Sequence, residues 1–473
     1  MTLYLDLIAA LGPAHVLSGD DILRYRTEPT SLYPSAPDLV VRPGTTEEVS
    51  QVLKIAARHL VAVVPCAGRT GITGAIQAKG GLMLSVERMN RIREIRPDAR
   101  IAIVEAGVVL AHLHEAAERL GLYFPLWFGA RGSAMIGGVL STNAGGSNVL
   151  RYGSTRALCL GLEVVLADGR VLDLMSELHK DNSGYDLKQL FIGAEGTLGV
   201  ITAAVMKLVP KPRAYATAML AARSLADAHE LLNRLQASSG GMVEAFEYMP
   251  ASYMQRLAQV HPEIRQPFQP IHPVNILVEL GATRLDDATP GDDGTRPITA
   301  LLESTLAQMM DEGMVLDAEI AQSETQRLAL WKRRELASEI MQAVQPAIDT
   351  DICLPLDKIP AFLDRIHARL AILDPGAQSV TVAHLGDGNL HFSVYPTHHD
   401  DAFHNAVVEA VEDEVAAFNG SFSAEHGVGQ MKLSSMARRK SPVALDVMRA
   451  IKAALDPQGR MNPGKVIPQV TAS

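Results

Sequence analysis

Three glycine-dense stretches in the first half of this 473-residue chain limit what it can fold into. They are PCAGRTGITGA at residues 65–75, GARGSAMIGGVLSTNAGGS at 129–147 and DNSGYDLKQLFIGAEGTLGVIT at 181–202. Glycine lets main-chain N–H groups approach a ligand closely, and consecutive N–H groups in a turn bind anions. One such stretch would more often be a tight turn, but three of them within 140 residues are harder to explain as turns alone. Hydroxyl and amide side chains within them add further donors: Ser133, Thr142, Asn143 and Thr197.

The two commonest phosphate-binding loops are missing from the sequence. No G-x-G-x-x-G follows the first predicted strand and opens a helix, with an acidic residue about 20 positions later, which disfavours a Rossmann fold. No G-x-x-x-x-G-K-[ST] occurs, which excludes a P-loop. The glycine stretches therefore predict a binding site distributed over separate loops.

Regular elements surround these stretches. Residues 45–60 predict an amphipathic helix capped by Thr45 or Thr46, and VAVV at 61–64 predicts a buried strand. Helix and strand signals continue to alternate, so we expect mixed α and β structure. The best domain boundary is KLVPKPR at 207–213, where prolines and cations interrupt the pattern. The chain is longer than one hydrophobic core supports, so we expect two domains.

The composition excludes several classes of protein. A formal net charge of −10 disfavours nucleic-acid binding, which needs a basic face. No apolar run reaches the roughly 18–20 residues that span a bilayer, and the N-terminus lacks the basic region of a signal peptide. Cys66, Cys159 and Cys353 lie far apart, which excludes a disulfide scaffold and a cysteine-type zinc site. We therefore expect a soluble protein of the reducing cytoplasm.

Two histidine-containing motifs in the second half carry candidate chemistry. His384 and His391 stand seven positions apart in AHLGDGNLHF, and Glu425 and His426 are adjacent in SAEHGVG. Two imidazoles and a carboxylate commonly bind a divalent metal that keeps an open position for substrate oxygen. Among 15 histidines, ordinary core or surface positions are the alternative, but the flanking glycines favour backbone close to a ligand. On spacing alone, Arg334 in LWKRRE reads as a solvated helix residue.

The motifs together resemble the FAD-linked D-2-hydroxy acid dehydrogenases. This branch of the vanillyl-alcohol-oxidase-type flavoproteins includes D-lactate dehydrogenase, D-2-hydroxyglutarate dehydrogenase and the glycolate oxidase catalytic subunit. The resemblance covers almost the whole chain and also includes RPGTTEEVSQVL, FEYMPASYMQRL and LDPQGRMNPGK. It implies an α+β fold, with an FAD-binding domain over residues 1–212 and a substrate (cap) domain over 213–473. The tail at 440–468 would pack back on the first domain.

The resemblance also implies how FAD is held. Some relatives tether the cofactor through a histidine in the first glycine loop, where this chain has arginine and threonine, so we expect non-covalent FAD and read Cys66 as a core or loop residue. Asn462, in MNPGK, matches a residue near the flavin ring. The other positions that match the family's FAD-binding segments are Gly68, Arg69, Thr70, Gly71, Ile72, Thr73, Gly132, Ser133, Gly138, Thr142, Asn143, Gly145, Glu195, Gly196, Gly199 and Ile201.

In the family's pattern, the polar residues of the second half have separate roles in binding and oxidising the substrate. His384, His391 and Glu425 hold zinc or a similar ion such as manganese, which lowers the pKa of the substrate hydroxyl. His426 takes the proton, and hydride passes to flavin N5. Arg334 binds the C1 carboxylate with two parallel hydrogen bonds. Ser338, one turn later on the same helical face, would donate to the same group.

Different segments of the chain resemble family members that act on different substrates. The hydroxyglutarate enzymes carry a substrate-binding lysine just before the segment that is here TDICLP, and this chain has Asp349 there, which repels a second carboxylate. TDICLP is closer to the D-lactate dehydrogenases, whereas SGYDLKQLFIGAEGTLGVIT and FEYMPASYMQRL are closer to the hydroxyglutarate enzymes. We slightly favour D-2-hydroxyglutarate, with D-lactate or glycolate as the alternative.

Partners and rival functions follow from the same resemblance. The expected electron acceptor is an electron-transfer flavoprotein or a quinone, and a homodimer is one candidate assembly. An oxidase that passes electrons to oxygen is a second candidate. A flavin-binding subunit without chemistry is a third, and the complete set of polar residues disfavours it.

Overall fold

The computed structural model describes residues 2–27, 30, 32–398 and 400–469. The chain divides into two compact units. The first contains residues 1–145, 153–210 and 425–473, and the second contains 146–152 and 211–424. Two features differ from the expected division. The short segment 146–152 belongs to the second unit, and the return to the first begins at residue 425 instead of 440.

The early return has a direct cause in main-chain hydrogen bonding. The N–H groups of Gln430 and Met431 both donate to the Thr73 carbonyl, at 3.0 and 3.1 Å. The N–H of Asn462 donates to the Val63 carbonyl at 2.8 Å. Residues on both sides of the final helix are thus bonded into the first unit.

The first unit contains three described sheets. One is four-stranded in the order β1-β2-β4-β3, one is five-stranded and antiparallel in the order β5-β6-β10-β8-β9, and β7 pairs with β11. The strands are β1 Val16–Leu17, β2 Leu39–Val41, β3 Val63–Cys66, β4 Leu82–Ser85, β5 Ile92–Arg96, β6 Ile101–Glu105, β7 Leu122–Tyr123, β8 Cys159–Val165, β9 Val171–Leu174, β10 Val200–Lys207 and β11 Val209–Pro210.

Helices complete the first unit. The predicted helix at 45–60 is confirmed, because α2 runs over Thr46–Arg58 and the Thr45 hydroxyl accepts the Glu48 N–H at 3.1 Å. The others are α1 Leu3–Leu11, α3 Leu110–Glu118, α4 Ile136–Thr142, α6 Thr155–Leu158, α7 Lys188–Phe191, α16 Leu433–Arg439 and α17 Pro442–Leu455, with 3-10 turns at Pro13–His15, Gly19–Tyr25 and Gly129–Gly132.

The second unit is built on one seven-stranded antiparallel sheet in the order β15-β12-β14-β13-β17-β18-β16. Its strands are β12 Ala214–Ala222, β13 Val243–Pro250, β14 Val274–Ala282, β15 Val315–Ile320, β16 Ile348–Cys353, β17 Gln378–His384 and β18 Asn389–Tyr395. Its helices are α5 Val149–Tyr152, α8 Leu225–Ser239, α9 Ala251–Val260, α10 Leu285–Ala288, α11 Pro297–Asp311, α12 Glu324–Glu335, α13 Ala337–Gln342, α14 Ile359–Leu373 and α15 Asp401–Ala417, with a 3-10 turn at Leu356–Lys358.

Both faces of this sheet are covered, because side chains alternate along each strand. Helices α8, α11, α14 and α15 bury one face, with Leu231, Leu302, Phe362 and Val407 in the core. Helices α9, α12 and α13 bury the other, with Tyr253, Trp331 and Ile340. Both units mix helices with mainly antiparallel sheets, so the predicted α+β class is confirmed. No helix in the described part of the chain is long and apolar enough to cross a membrane.

Candidate active site

The two predicted histidine ligands lie on one hairpin of the second unit. His384 ends β17 and His391 lies in β18, and their ring centroids are 5.5 Å apart. The turn between them requires glycine at position 388, where φ is +86° and a Cβ would lie 2.2 Å from the Leu354 carbonyl oxygen. The glycines of HLGDGNLH therefore serve a tight turn that brings the imidazoles together.

Each of these histidines faces a carboxylate that the sequence analysis did not identify. Nδ1 of His384 lies 2.9 Å from Glu247 Oε1, and Nδ1 of His391 lies 3.9 Å from Asp351 Oδ1. Both carboxylates are buried. A carboxylate at one ring nitrogen orients an imidazole.

The two acids reach this face through strand pairing. Glu247 in β13 pairs with His384, and Asp351 in β16 pairs with His391. Asp351 also accepts hydrogen bonds from the Asn389 amide at 2.9 Å and from the Ala424 N–H at 3.2 Å. A sequence signal existed for Glu247, since it stands at an otherwise apolar inward position between Ala245 and Met249.

Arg334 is buried, and part of its guanidinium already contacts neighbouring side chains. Its Nε donates to Glu247 Oε2 at 2.7 Å, and its Nη2 lies 3.3 Å from His384 Nε2. Burial opposes ionisation of Glu247, but the charges of His384 and Arg334 outweigh it and lower the pKa of Glu247 below its ordinary value. The bland reading of Arg334 as a solvated helix residue is therefore wrong.

Ser338 does not share a helix with Arg334. Helix α12 ends at Glu335, and a separate short helix, α13, begins at Ala337. Ser338 is exposed, whereas Arg334 is buried. The predicted position of both side chains one turn apart on one helical face is wrong, because the helix breaks at Leu336.

Asp349 lies on the same sheet face as Asp351, because the two are separated by one residue along β16. It pairs across the sheet with Ser393, whose hydroxyl donates to Asp349 Oδ1, and Gln342 Nε2 donates to Oδ2 at 2.7 Å. An anion held by two neutral donors thus stands beside the histidine pair.

In the first unit, Glu425 and His426 open the returning segment, with Glu425 Oε1 and His426 Nε2 3.8 Å apart. The following loop is bonded to the buried Glu195, which accepts the N–H groups of Val428 and Gly429 at 2.7 and 2.8 Å. Gly429 has a φ of +52°, and a Cβ there would lie 2.1 Å from the Thr73 carbonyl oxygen. The EHGVG motif is therefore built into the glycine loops.

All predicted cofactor residues lie in this unit. Residues 68–73 follow β3, 132 and 133 close a 3-10 turn, 138 and 142 lie in α4, and 143 and 145 follow it. Residues 195 and 196 form a turn before β10, and 199 and 201 lie at the start of that strand. The first loop and the second segment approach closely, since a Cβ on Gly68 would lie 2.2 Å from the Ser133 carbonyl oxygen.

Several of these side chains already form hydrogen bonds to other groups of the protein. Thr142 donates to the Gly138 carbonyl at 3.1 Å, and Thr197 donates to the Ala194 carbonyl at 2.7 Å. The Arg69 guanidinium bonds to the Arg24 carbonyl and lies over the Tyr25 ring, 5.1 Å from its centroid. Main-chain groups, not these hydroxyls, are therefore what the loops present. The expectation that Thr142 and Thr197 donate to a ligand is therefore wrong, because each hydroxyl donates to a local carbonyl instead.

Asn462 provides a test of whether the cradle fits a cofactor. Its Nδ2 donates to the carbonyls of Ala75 at 3.0 Å and Glu195 at 2.6 Å. Its Oδ1 is buried and bonds to no described residue. An orphaned acceptor beside the first and third glycine stretches is what a ligand with an N–H donor would satisfy. The flavin and the adenine of FAD both carry such donors, so the residues fit FAD.

Comparison with known families and proteins agrees with this chemistry. Residues 37–175 match the FAD binding domain model, and residues 211–466 match the model of FAD linked oxidases, C-terminal domain. The chain is 38% identical to the mitochondrial D-2-hydroxyglutarate dehydrogenase of Bos taurus, covering 96% of this chain and 85% of that protein. It is 37% identical to the D-2-hydroxyglutarate dehydrogenase of Stutzerimonas stutzeri (strain A1501), covering 98% of each.

Solved structures agree on the fold. p-Cresol methylhydroxylase aligns with a TM-score of 0.75 at 17% identity, over 100% of this chain and 97% of that one. Alkyldihydroxyacetonephosphate synthase aligns with a TM-score of 0.71 at 16% identity, over 98% and 84%. The vanillyl-alcohol-oxidase-type fold that the sequence motifs imply is confirmed.

Proposed function

Because the chain belongs to the family of FAD-linked oxidases and is an FAD-dependent dehydrogenase of CH–OH groups, we propose that it oxidises a D-2-hydroxy acid to the 2-oxo acid. The favoured substrate is D-2-hydroxyglutarate. Two relatives that align over most of their length are named D-2-hydroxyglutarate dehydrogenase. The observation that carries the proposal is the buried arrangement of Arg334, Glu247 and His384 in the second unit.

The three residues have different roles in the proposed reaction. Nη1 of Arg334 bonds to no other described residue, so this buried guanidinium can still donate to a substrate carboxylate. Glu247 keeps both neighbours oriented. FAD, when bound, supplies the acceptor for the hydride that leaves the substrate Cα.

We assign the hydroxyl chemistry to the histidine motifs. His384, His391 and Glu425 hold a divalent ion, Zn²⁺ or Mn²⁺, and His426 accepts the hydroxyl proton. Asp351, whose carboxylate faces His391, either orients that imidazole or adds a fourth ligand.

A second substrate class has one observation in its favour. Asp349 repels a second carboxylate, so a monocarboxylate such as D-lactate is the alternative. The proposed electron acceptor is an electron-transfer flavoprotein or a quinone. The bovine relative is named as mitochondrial, so the expected cytoplasmic location stays a prediction that fractionation would test.

Three measurements on purified protein test the proposal. The protein should be yellow and release intact FAD on denaturation, since the first glycine loop has arginine and threonine where some relatives carry a tethering histidine. Anaerobic dye reduction with D- and L-2-hydroxy acids should select the D series. Prolonged chelation should abolish turnover with FAD retained, and zinc or manganese should restore it. Dye reduction by none of the acids would make the chain a flavin-binding subunit, and activity in metal-free protein would remove the metal.

A further inference from the structure

A second buried acid binds the helix that carries Arg334. Glu279, in β14, is 4% exposed. Its Oε2 accepts hydrogen bonds from Thr217 Oγ1 at 2.6 Å and from Trp331 Nε1 at 2.7 Å. Arg327 donates to both oxygens of the same carboxylate, with Nε 2.7 Å from Oε2 and Nη2 2.8 Å from Oε1. These bonds occupy about all the acceptor sites of a carboxylate, so Glu279 binds the protein and not a ligand.

The contacts with Glu279 lie on the same face of α12 as Arg334. Arg327, Trp331 and Arg334 follow one another at spacings of four and three residues, which places them on one helical stripe. Glu279 binds the first two, and Glu247 binds the third. The two acids lie on neighbouring strands and on one sheet face, because the partner of Glu279 in β13 stands two positions before Glu247. Two buried carboxylates thus fix one helix face to the sheet.

The position of Arg334 at the end of α12 makes this attachment important. The helix ends at Glu335, so Arg334 lies in the last turn. The last turn lacks main-chain partners for its carbonyls and frays most readily. Trp331 precedes Arg334 by three residues, about one helical turn, and its indole is 9% exposed. The hydrogen bond from this indole to Glu279 therefore holds the turn from which Arg334 projects.

We propose that Glu279 is a positioning residue for the substrate carboxylate and that it acts through Arg334. By fixing the rotation and register of α12 on the sheet, it sets the direction of the Arg334 guanidinium. Two parallel hydrogen bonds to a carboxylate depend strongly on direction, so a small rotation of the helix weakens them. The inference rests on the proposed role of Arg334 and extends it to a residue that does not touch the substrate.

The variant Glu279→Gln tests the proposal, because an amide has one acceptor oxygen and turns an N–H group towards the arginine and indole donors. KM for the 2-hydroxy acid that the wild type oxidises should rise about tenfold, with kcat nearly unchanged. FAD and metal contents should equal those of the wild type. Glu244→Gln is the matched control at a buried acid of the neighbouring strand, which bonds to Arg151 and Tyr152. It should leave KM unchanged.

A double-mutant cycle shows whether Glu279 acts through Arg334. In the Arg334→Lys background, Glu279→Gln should change KM by less than about twofold, because the fork that Glu279 positions is already lost. A merely structural role predicts a different result. Loss of stability lowers the active fraction of the protein, and hence kcat, equally in both backgrounds.

The remaining outcomes also decide the question. If the wild type oxidises no 2-hydroxy acid, the proposed function fails and this inference fails with it. If the wild type is active and Glu279→Gln has an unchanged KM, or the same increase in KM with and without Arg334→Lys, only this inference is overturned. If Glu279→Gln does not fold, Arg327→Lys decides, because it keeps the ion pair and loses the two-bond fork. Its KM should also rise, and a wild-type KM would contradict the proposal.

Discussion

Glu247 Oε2 accepts a 2.7 Å hydrogen bond from Nε of Arg334, and neither side chain was near the other in sequence. The other oxygen of the same carboxylate lies 2.9 Å from His384. One buried acid thus connects the proposed carboxylate-binding group to a proposed metal ligand. Disturbing it should affect both substrate and metal binding.

Glu247→Gln should weaken metal binding by about 10–100-fold, because the amide orients His384 less strongly than the carboxylate does. Competition with a chelator measures this, and KM should rise as well. Glu244→Gln is the matched control, since that buried acid of the same strand bonds to Arg151 and Tyr152 instead. Unchanged metal affinity in Glu247→Gln would remove His384 from the ligand set.

Arg334→Lys should reduce kcat/KM by about ten- to a hundredfold, mostly through KM. The ammonium keeps the charge but loses the planar fork, and a charge-assisted hydrogen bond is worth roughly 1.5–3 kcal/mol. Steady-state kinetics with a range of substrate concentrations separates KM from kcat. Arg333→Lys is the control, because its guanidinium bonds to the carbonyls of Ala329 and Arg265. Equal losses in both variants would contradict a specific role for Arg334.

His426→Ala should slow flavin reduction by about 10²–10⁴-fold at saturating substrate, because the proton acceptor is lost. Anaerobic stopped-flow absorbance isolates this step from reoxidation. The deficit should shrink as pH rises, since hydroxide can then remove the proton. His404→Ala removes an exposed histidine and should have no effect. A wild-type rate in His426→Ala would show that another group is the base.

Asp349→Lys should raise kcat/KM for D-2-hydroxyglutarate relative to D-lactate by at least tenfold. The change replaces repulsion of the second carboxylate by attraction, at a position roughly 7 Å along the strand from Asp351. Asp349→Asn removes only the charge and should give an intermediate ratio. If neither variant changes the ratio, the second carboxylate does not approach β16.

Acid should destabilise the protein partly through His114. Burial lowers the pKa of this histidine from 6.5 to about 4, and its ring stacks on Trp127. The neutral form is favoured in the folded state, so this stability is complete above pH 6.5 and is lost as pH falls towards 4. The loss is on the order of 3 kcal/mol. Urea unfolding at several pH values should show that the free energy of unfolding changes less with pH in His114→Gln than in the wild type. The control His112→Gln, at an exposed histidine, should behave like wild type. If the free energy of unfolding of His114→Gln depends on pH as in the wild type, His114 is not a source of the acid destabilisation.

Local features were well predicted from sequence. The helix at 45–60 and the mixture of helices and strands follow from side-chain periodicity and capping residues, and the tight turns of the glycine stretches follow from the backbone freedom of glycine. Each of these acts within a few neighbouring residues, so a short window of sequence contains the whole cause. The hairpin that joins His384 to His391 is local in the same sense.

The partners of those residues were decided by the tertiary structure. Glu247 and Asp351 meet the histidines because β13 pairs with β17 and β16 pairs with β18 in one register, and a shift of one residue would turn each acid to the other face. The break at Leu336 separates Ser338 from Arg334 although their spacing suits a helix. The sequence by itself determined the fold class and the residue types available for catalysis. Strand order and register, which depend on contacts between distant segments, decided which of them meet.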